Sequence, residues 1–197
     1  MMHFITDFAD QDVIIPLQVA VLLTLLLLRR WRFALAWCLV TGGGSALILV
    51  LKLGFEACGP GAHRVLYSPS GHTMAGTVVY GGLLGLLDIR RSVLMLATAG
   101  IAGLLGVSRI ACGCHTVAEV LVAGILGTMA TAFLYRLAGS PPRFTAGPTL
   151  GVLAVVLCVV AVFHGHHAAV EQQVERISHI AVGPLLCRPH PDLIQPA

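Results

Sequence analysis

Six long apolar runs alternate with short polar segments along the chain: Val13–Leu28, Phe33–Leu51, Thr73–Leu87, Ser92–Val107, Thr116–Tyr135 and Leu150–Phe163. Within each run the apolar residues are continuous. A strand of a membrane barrel would alternate apolar with polar positions instead. A helix needs about 20 mostly apolar residues to cross a bilayer. The pattern therefore predicts an all-α polytopic membrane protein with six transmembrane helices, built as a single domain over 1–197. The shorter runs are expected to extend into their polar flanks. Gly42-Gly43-Gly44, Gly81-Gly82 and Gly85 fall within the runs, where small residues let helices pack closely. After Phe163 the chain turns polar, giving a tail over about 164–197. In it Val170, Val174, Ile177 and Ala181 recur at helical spacing, which predicts a short amphipathic helix on the membrane surface. From Pro184 onward an irregular end is expected.

Composition supports the same class. The chain is 57% hydrophobic and 11% charged, whereas soluble domains carry about 25% charged residues. The net charge of +3 is small and the basic residues form no long run, so no nucleic-acid partner is expected. The acidic start (Asp7, Asp10, Asp12) precedes the first apolar run and the basic cluster follows it, the reverse of a secretory signal.

Charge placement sets an orientation. Arg29, Arg30 and Arg32 follow run one, Arg90 and Arg91 follow run three, and Arg136 and Arg143 follow run five. These three loops share one face, which the positive-inside rule makes cytoplasmic. The segment Lys52–Gly71, the turn Arg109–Cys114 and the tail then lie on the opposite face.

That opposite face gathers the chemically capable residues: Lys52, then Ser68-Pro69-Ser70-Gly71-His72, then Ser108-Arg109, His115 and Glu119. His115 and Glu119 are four apart, so on a helix they share a face. A carboxylate bonded to one imidazole nitrogen fixes the tautomer and makes the other nitrogen a better nucleophile or base. Glu119 is also an ionisable residue in an apolar run, where such residues mark functional sites. Taken singly, Arg109 reads as a snorkelling arginine, and Lys52 and His72 as helix-end residues; their joint occurrence on one face carries the case.

In order and spacing these residues resemble the three-part pattern of the type-2 phosphatidic acid phosphatase (PAP2) superfamily, K-x6-R-P, P-S-G-H and S-R-x5-H-x3-D. Pro69-Ser70-Gly71-His72 is intact, as is Ser108-Arg109 followed after five residues by His115. Lys52 and Pro60 stand at the right spacing. Two positions depart from the pattern: Gly59 replaces the first arginine, and Glu119 replaces the final aspartate. Arg64, in the same loop as Gly59, is the residue that could restore the missing charge.

The resemblance implies a PAP2-type helical bundle and a lipid phosphatase working through a phosphohistidine. It assigns His115 as nucleophile, Glu119 as its orienting carboxylate and His72 as general acid. Lys52, Ser70, Gly71 and Arg109, with Arg64, would hold the phosphate. Neither a metal nor another cofactor is implied. The implied partners are the membrane and a phospholipid or polyprenyl diphosphate substrate: phosphatidic acid, phosphatidylglycerophosphate or undecaprenyl diphosphate. The implied location is a bacterial inner membrane, with the site facing the periplasm or exterior. A lipid phosphotransferase using the same histidine, and a non-catalytic phospholipid-binding or transport protein, are the alternatives.

Cysteines and the remaining histidines add little. Cys112-Gly113-Cys114 lacks the spacing of a CxxC motif, and Cys38 and Cys158 lie within apolar runs. Cys58, Cys112, Cys114 and Cys187 fall on the face where disulfides persist. A bridge from Cys58 to Cys112 or Cys114 is one expectation and four reduced thiols the other. His164, His166 and His167 have no carboxylate or cysteine beside them and read as polar residues at the membrane interface.

Overall fold

The computed structural model describes residues 2–57, 68–87, 89–139, 146–165, 174 and 176–186. These residues form seven helices: α1 (Met2–Asp7), α2 (Gln11–Leu27), α3 (Trp31–Glu56), α4 (Gly71–Leu84), α5 (Arg91–Ala111), α6 (Val117–Ala138) and α7 (Ala146–Phe163). A π-helical turn, Ser178–Val182, then runs into a last helical turn, Gly183–Leu186. No strand occurs among the described residues, as the continuous apolar runs require.

Four stretches are long and apolar enough to cross a membrane: Phe4–Leu27, Trp31–Gly54, Arg91–Ala111 and Val117–Ala138. The protein is a multi-pass membrane protein. The other two predicted spans are shorter. The apolar part described for α7 is Leu150–Phe163. Helix α4 has 14 residues, about 20 Å at about 1.5 Å per residue. Its position explains its composition, because α4 packs against α6, α5, α3 and α2 at once. It needs no broad lipid-facing surface, and Gly71, His72, Thr73, Met74, Gly76, Thr77, Val78, Val79, Gly81 and Gly82 are all buried.

The helices around α4 are apolar outward and small or hydroxylic inward. Ile15, Val19, Leu23 and Leu27 form an exposed stripe on α2, and Leu121, Ile125, Met129 and Phe133 form one on α6. Each recurs every fourth residue, so each covers one helix face. Facing inward, Thr73, Thr77, Thr98 and Thr131 are fully buried. Their hydroxyls are satisfied within the helices: Thr77 Oγ1 donates to Thr73 O (2.6 Å), Thr98 to Leu94 O (2.9 Å) and Thr131 to Gly127 O (2.9 Å). In lipid, where apolar side chains gain nothing from leaving the solvent, close packing of this kind holds helices together.

Alternation of the chain brings the exposed Arg29, Arg30, Arg32, Arg90, Arg91 and Arg136 to one end of the bundle. The end of α3, the start of α4, the end of α5 and the start of α6 meet at the other. Helix α1, in the segment that the sequence reads only as an acidic start before the first run, covers this second end. Thr6 Oγ1 lies 3.0 Å from Ser108 Oγ on α5. Tyr80 on α4 donates to Phe8 O, and His164, beyond α7, places Nε2 3.2 Å from Phe4 O while its ring packs at an angle against Phe4 and Phe8. His164 therefore anchors α1; His166 and His167 lie outside the described residues.

The tail departs from the sequence reading. Val174 is buried, and Ser178 Oγ donates to Leu53 O at 2.6 Å, which docks this segment on α3. Ile177 and Ile180 face outward. Of the predicted stripe, Val174 is buried while Ile177 faces outward and Val170 lies outside the described residues, so the segment docks on α3 through Val174 and Ser178 rather than along the whole stripe. The turn Gly183–Leu186 continues helical through Pro184, where an irregular end was expected, because a proline early in a new helical turn gives up an N–H that has no partner there.

Candidate active site

Helix α4 opens with the Pro-Ser-Gly-His sequence. Ser70 is its N-cap, with Oγ accepting from Thr73 N at 3.3 Å and from Thr73 Oγ1 at 3.0 Å. Serine suits this place because its hydroxyl satisfies an N–H left open by the first turn. Gly71 follows against α3. A Cβ there would stand 3.3 Å from Ile48 Cγ2 and 3.7 Å from Lys52 Cε. The missing side chain thus lets the lysine stem lie against the start of α4. Lys52 is only 5% exposed although it is charged. The ammonium and the N-terminus of α4 together form a region that favours an anion.

Glu119 joins the second and third motifs. Its Oε2 lies 3.0 Å from His115 Nδ1 and accepts from Thr116 N at 3.0 Å, while Oε1 accepts from Ser68 N at 3.3 Å. Thr116 Oγ1 accepts from Glu119 N in return, completing a capping box at the start of α6. Backbone contact reinforces the junction, with Ser70 N donating to Glu119 O at 3.4 Å. The glutamate that departs from the family pattern is the residue a capping box calls for, since threonine three positions earlier needs a side chain long enough to reach back. One carboxylate therefore starts a helix, holds the Ser68–Ser70 segment and orients the histidine.

His72, the second residue of α4, places Nε2 3.5 Å from Asp10 Oδ2. Arg109, in the last turn of α5, is 6% exposed, and Ser108 beside it is fully buried. Arg109 is therefore not a snorkelling residue. Asp7 and Asp10 are also buried here. Sequence reasoning noted these aspartates only as an acidic start and did not place them in the site. The available signal was Asp10 three residues before an apolar run, where an N-cap belongs; it does cap α2, accepting from Asp12 N at 3.0 Å.

The site residues read from the sequence accordingly fall at one end of the bundle: Lys52 from α3, Ser70, Gly71 and His72 from α4, Arg109 from α5, and His115 and Glu119 at the start of α6. Arg64 and Gly59 lie outside the described residues. A cavity of about 380 Å³ between α2, α3 and α4 reaches Lys52 and Gly71 and runs on past Ile48, Gly44 and Thr41. Among the described residues, no group of three or more His, Cys, Asp or Glu is arranged to hold a metal ion.

The family model described as the PAP2 superfamily matches residues 53–143. No curated protein and no solved structure matches the chain. The matched stretch carries the Pro69–His72 segment and the Ser108–Glu119 segment, which meet where Ser68 N and Ser70 N donate to Glu119, and over this stretch the chain is similar to the PAP2 superfamily.

Proposed function

We propose that the protein is a lipid phosphatase that forms a phosphohistidine on His115. The observation that carries this reading is the 3.0 Å contact between Glu119 Oε2 and His115 Nδ1, made by a carboxylate already held by Thr116 N and Ser68 N. With Nδ1 donating to a fixed carboxylate, Nε2 bears the lone pair that attacks phosphorus. The charge that spreads over the phosphoryl oxygens is met by Arg109, Lys52 and the N-terminus of α4. Positioning and electrostatics are the main protein contributions to phosphoryl transfer. His72 protonates the leaving oxygen. A water then attacks the phosphohistidine, giving its proton to His72 and releasing phosphate. These cationic groups can supply the phosphate's charge balance, so the reading requires no metal. Arg64, from the adjoining loop, is proposed to stand in for the arginine absent at Gly59.

The cavity between α2, α3 and α4 supports a lipid substrate. It begins at the cationic Lys52 and continues along mostly apolar and small residues toward exposed Ile15 and Leu49 on the bundle's outer face, which suits a phosphate joined to an alkyl or polyprenyl chain. The exposed arginines at the opposite end support a cytoplasmic position for that end under the positive-inside rule. The site then faces the exterior of a bacterial inner membrane.

The test is phosphate release by the purified protein across phosphatidic acid, phosphatidylglycerophosphate and undecaprenyl diphosphate, with chelator present and His115→Ala as control. Release that depends on His115, with an acid-labile phosphoenzyme during turnover, is the expected result. Phosphate appearing on an added lipid alcohol instead of in water would make the protein a phosphotransferase. Equal release by wild type and His115→Ala would overturn the mechanism.

A further inference from the structure

We infer that Asp10, between α1 and α2, is a positioning residue for the general acid His72. The inference rests on the phosphatase reading for the role of His72, but the contact itself does not. Asp10 Oδ2 lies 3.5 Å from His72 Nε2, and the two side chains are 10% and 7% exposed. A buried carboxylate beside a buried imidazole is costly unless each offsets the other's desolvation.

The carboxylate is fixed before it meets the histidine. Its other oxygen, Oδ1, caps α2 by accepting from Asp12 N at 3.0 Å. The Asp10 carbonyl accepts from Val13 N and Ile14 N at 3.0 and 2.8 Å, and its own N–H donates to Asp7 O at 3.2 Å. With one oxygen and the backbone bound, the direction of Oδ2 is set.

The segment is also seated on the same face of α4 as His72. Ala9 is buried against Gly76, where a Cβ would come within 3.1 Å of Ala9 Cβ. Gly76 is four residues after His72, hence one turn along the same face. Thr6 binds Ser108 on α5, and Tyr80 on α4 binds the Phe8 carbonyl, so two contacts just before Asp10 in the chain hold it in register.

The chemistry follows from which nitrogen Asp10 takes. With Nε2–H directed to the carboxylate, Nδ1 is the nitrogen that carries the exchangeable proton. In the first step Nδ1–H passes to the ester oxygen as the P–O bond breaks, leaving a neutral imidazole that keeps Nε2–H on Asp10. In the second step Nδ1 takes a proton from the attacking water, and the imidazolium is restored. Asp10 stays against Nε2–H throughout and keeps the ring oriented while Nδ1 gives up and regains its proton.

The test separates this role from helix capping. Asparagine and serine cap helices about as well as aspartate, so Asp10→Asn and Asp10→Ser should both keep the start of α2. Neither carries a charge. For each variant, the first-turnover rate of leaving-group release is compared on an alkyl lipid phosphate and on 4-nitrophenyl phosphate, whose leaving group needs no proton. Expected is a loss of about 10- to 100-fold on the alkyl ester with KM within about threefold, and less than about threefold on the aryl ester; the loss stays at or below the roughly 10²–10⁴-fold of general-acid catalysis because His72 itself remains. Equal losses on both esters, or none on the alkyl ester, would overturn the proposal. A second readout works without turnover: ¹⁵N-histidine spectra, with the His72 signal assigned by His72→Gln. Asp10→Asn should change the His72 tautomer balance; an unchanged signal also overturns the proposal, and inactive wild-type protein showing that change would place the failure in the phosphatase reading.

Discussion

Glu119 binds His115 and caps α6 with the same oxygen: Oε2 lies 3.0 Å from His115 Nδ1 and 3.0 Å from Thr116 N. Histidine orientation and helix initiation are thereby one interaction. Any movement of the carboxylate that loosens the cap also turns the ring.

Two substitutions separate length from charge. Glu119→Gln keeps the reach and the capping box, which accepts either residue, and removes the charge. It is expected to lower kcat by about 10- to 100-fold while leaving thermal stability close to wild type. Glu119→Asp restores the family's usual residue and keeps the charge but is one methylene shorter. It should cost about 1 kcal/mol of stability through loss of the cap and also lower kcat. Thermal melting and phosphate release measured together check both arms; wild-type stability and turnover in Glu119→Asp would show that the cap and the histidine are not coupled.

His115→Ala removes the proposed nucleophile and should reduce turnover by at least about a thousandfold. The phosphoenzyme should vanish with it. Because the histidine sits just before α6 and the capping box survives without it, the melting temperature should change little. Residual turnover near wild type, or a phosphoenzyme that persists in the variant, would remove His115 from the mechanism.

The bundle and its motif residues were legible because each rests on a local rule. Continuous apolar runs give helices in a membrane, and His115 and Glu119 at a spacing of four meet across one turn. Burial of Lys52 and Arg109 was not legible. The same sequence spacing fits a residue at a helix end reaching toward headgroups, and only the packing of α4 against α3 and α5 decides between them. Asp10 was missed for a related reason. Its partner, His72, is 62 positions away in the chain, and no local pattern links them. The short α4 was read as an ordinary span because hydropathy does not distinguish a central helix, rich in Gly and Thr, from one facing lipid.

The turn between Arg109 and His115 carries a further expectation. Gly113 has φ +69°, a conformation glycine adopts without strain, and the turn brings Cys112 Sγ to 2.6 Å from Cys114 Sγ. Cys58, the other partner read from the sequence, lies outside the described residues. On an oxidising face, exchange with a disulfide donor should therefore join Cys112 to Cys114, releasing two thiols from the donor. Alkylation without reductant should then miss both cysteines, and intact mass should rise by two hydrogens on reduction. A peptide map linking Cys58 to either residue, or showing both alkylated after treatment with oxidised glutathione, would refute this pairing.

Helix contact at Gly127 offers a test of how the bundle holds the site. A Cβ at this position of α6 would stand 2.8 Å from Thr77 Cβ and 3.1 Å from the Met74 carbonyl, both on α4. The carbonyl belongs to the backbone and cannot rotate aside, so Gly127→Ala must push the two helices apart. In an exposed helix the same change gains up to about 1 kcal/mol, because alanine is the better helix former. Gly100 and Gly103 on α5 supply that control, since a Cβ at either meets nothing within 4 Å. Gly127→Ala should therefore destabilise by about 1–3 kcal/mol, seen as a melting temperature lower by roughly 3–10 °C. Gly100→Ala and Gly103→Ala should match or exceed wild type. The separation also acts on chemistry. Helix α4 carries Ser70, Gly71 and His72, and α6 carries Glu119, so a wider gap strains the Ser70 N to Glu119 O contact at 3.4 Å. Turnover of Gly127→Ala should fall at temperatures well below its melting point, while the two controls keep wild-type kcat. Full turnover in a destabilised Gly127→Ala would mean that the site is held by its own hydrogen bonds rather than by the contact of α4 with α6.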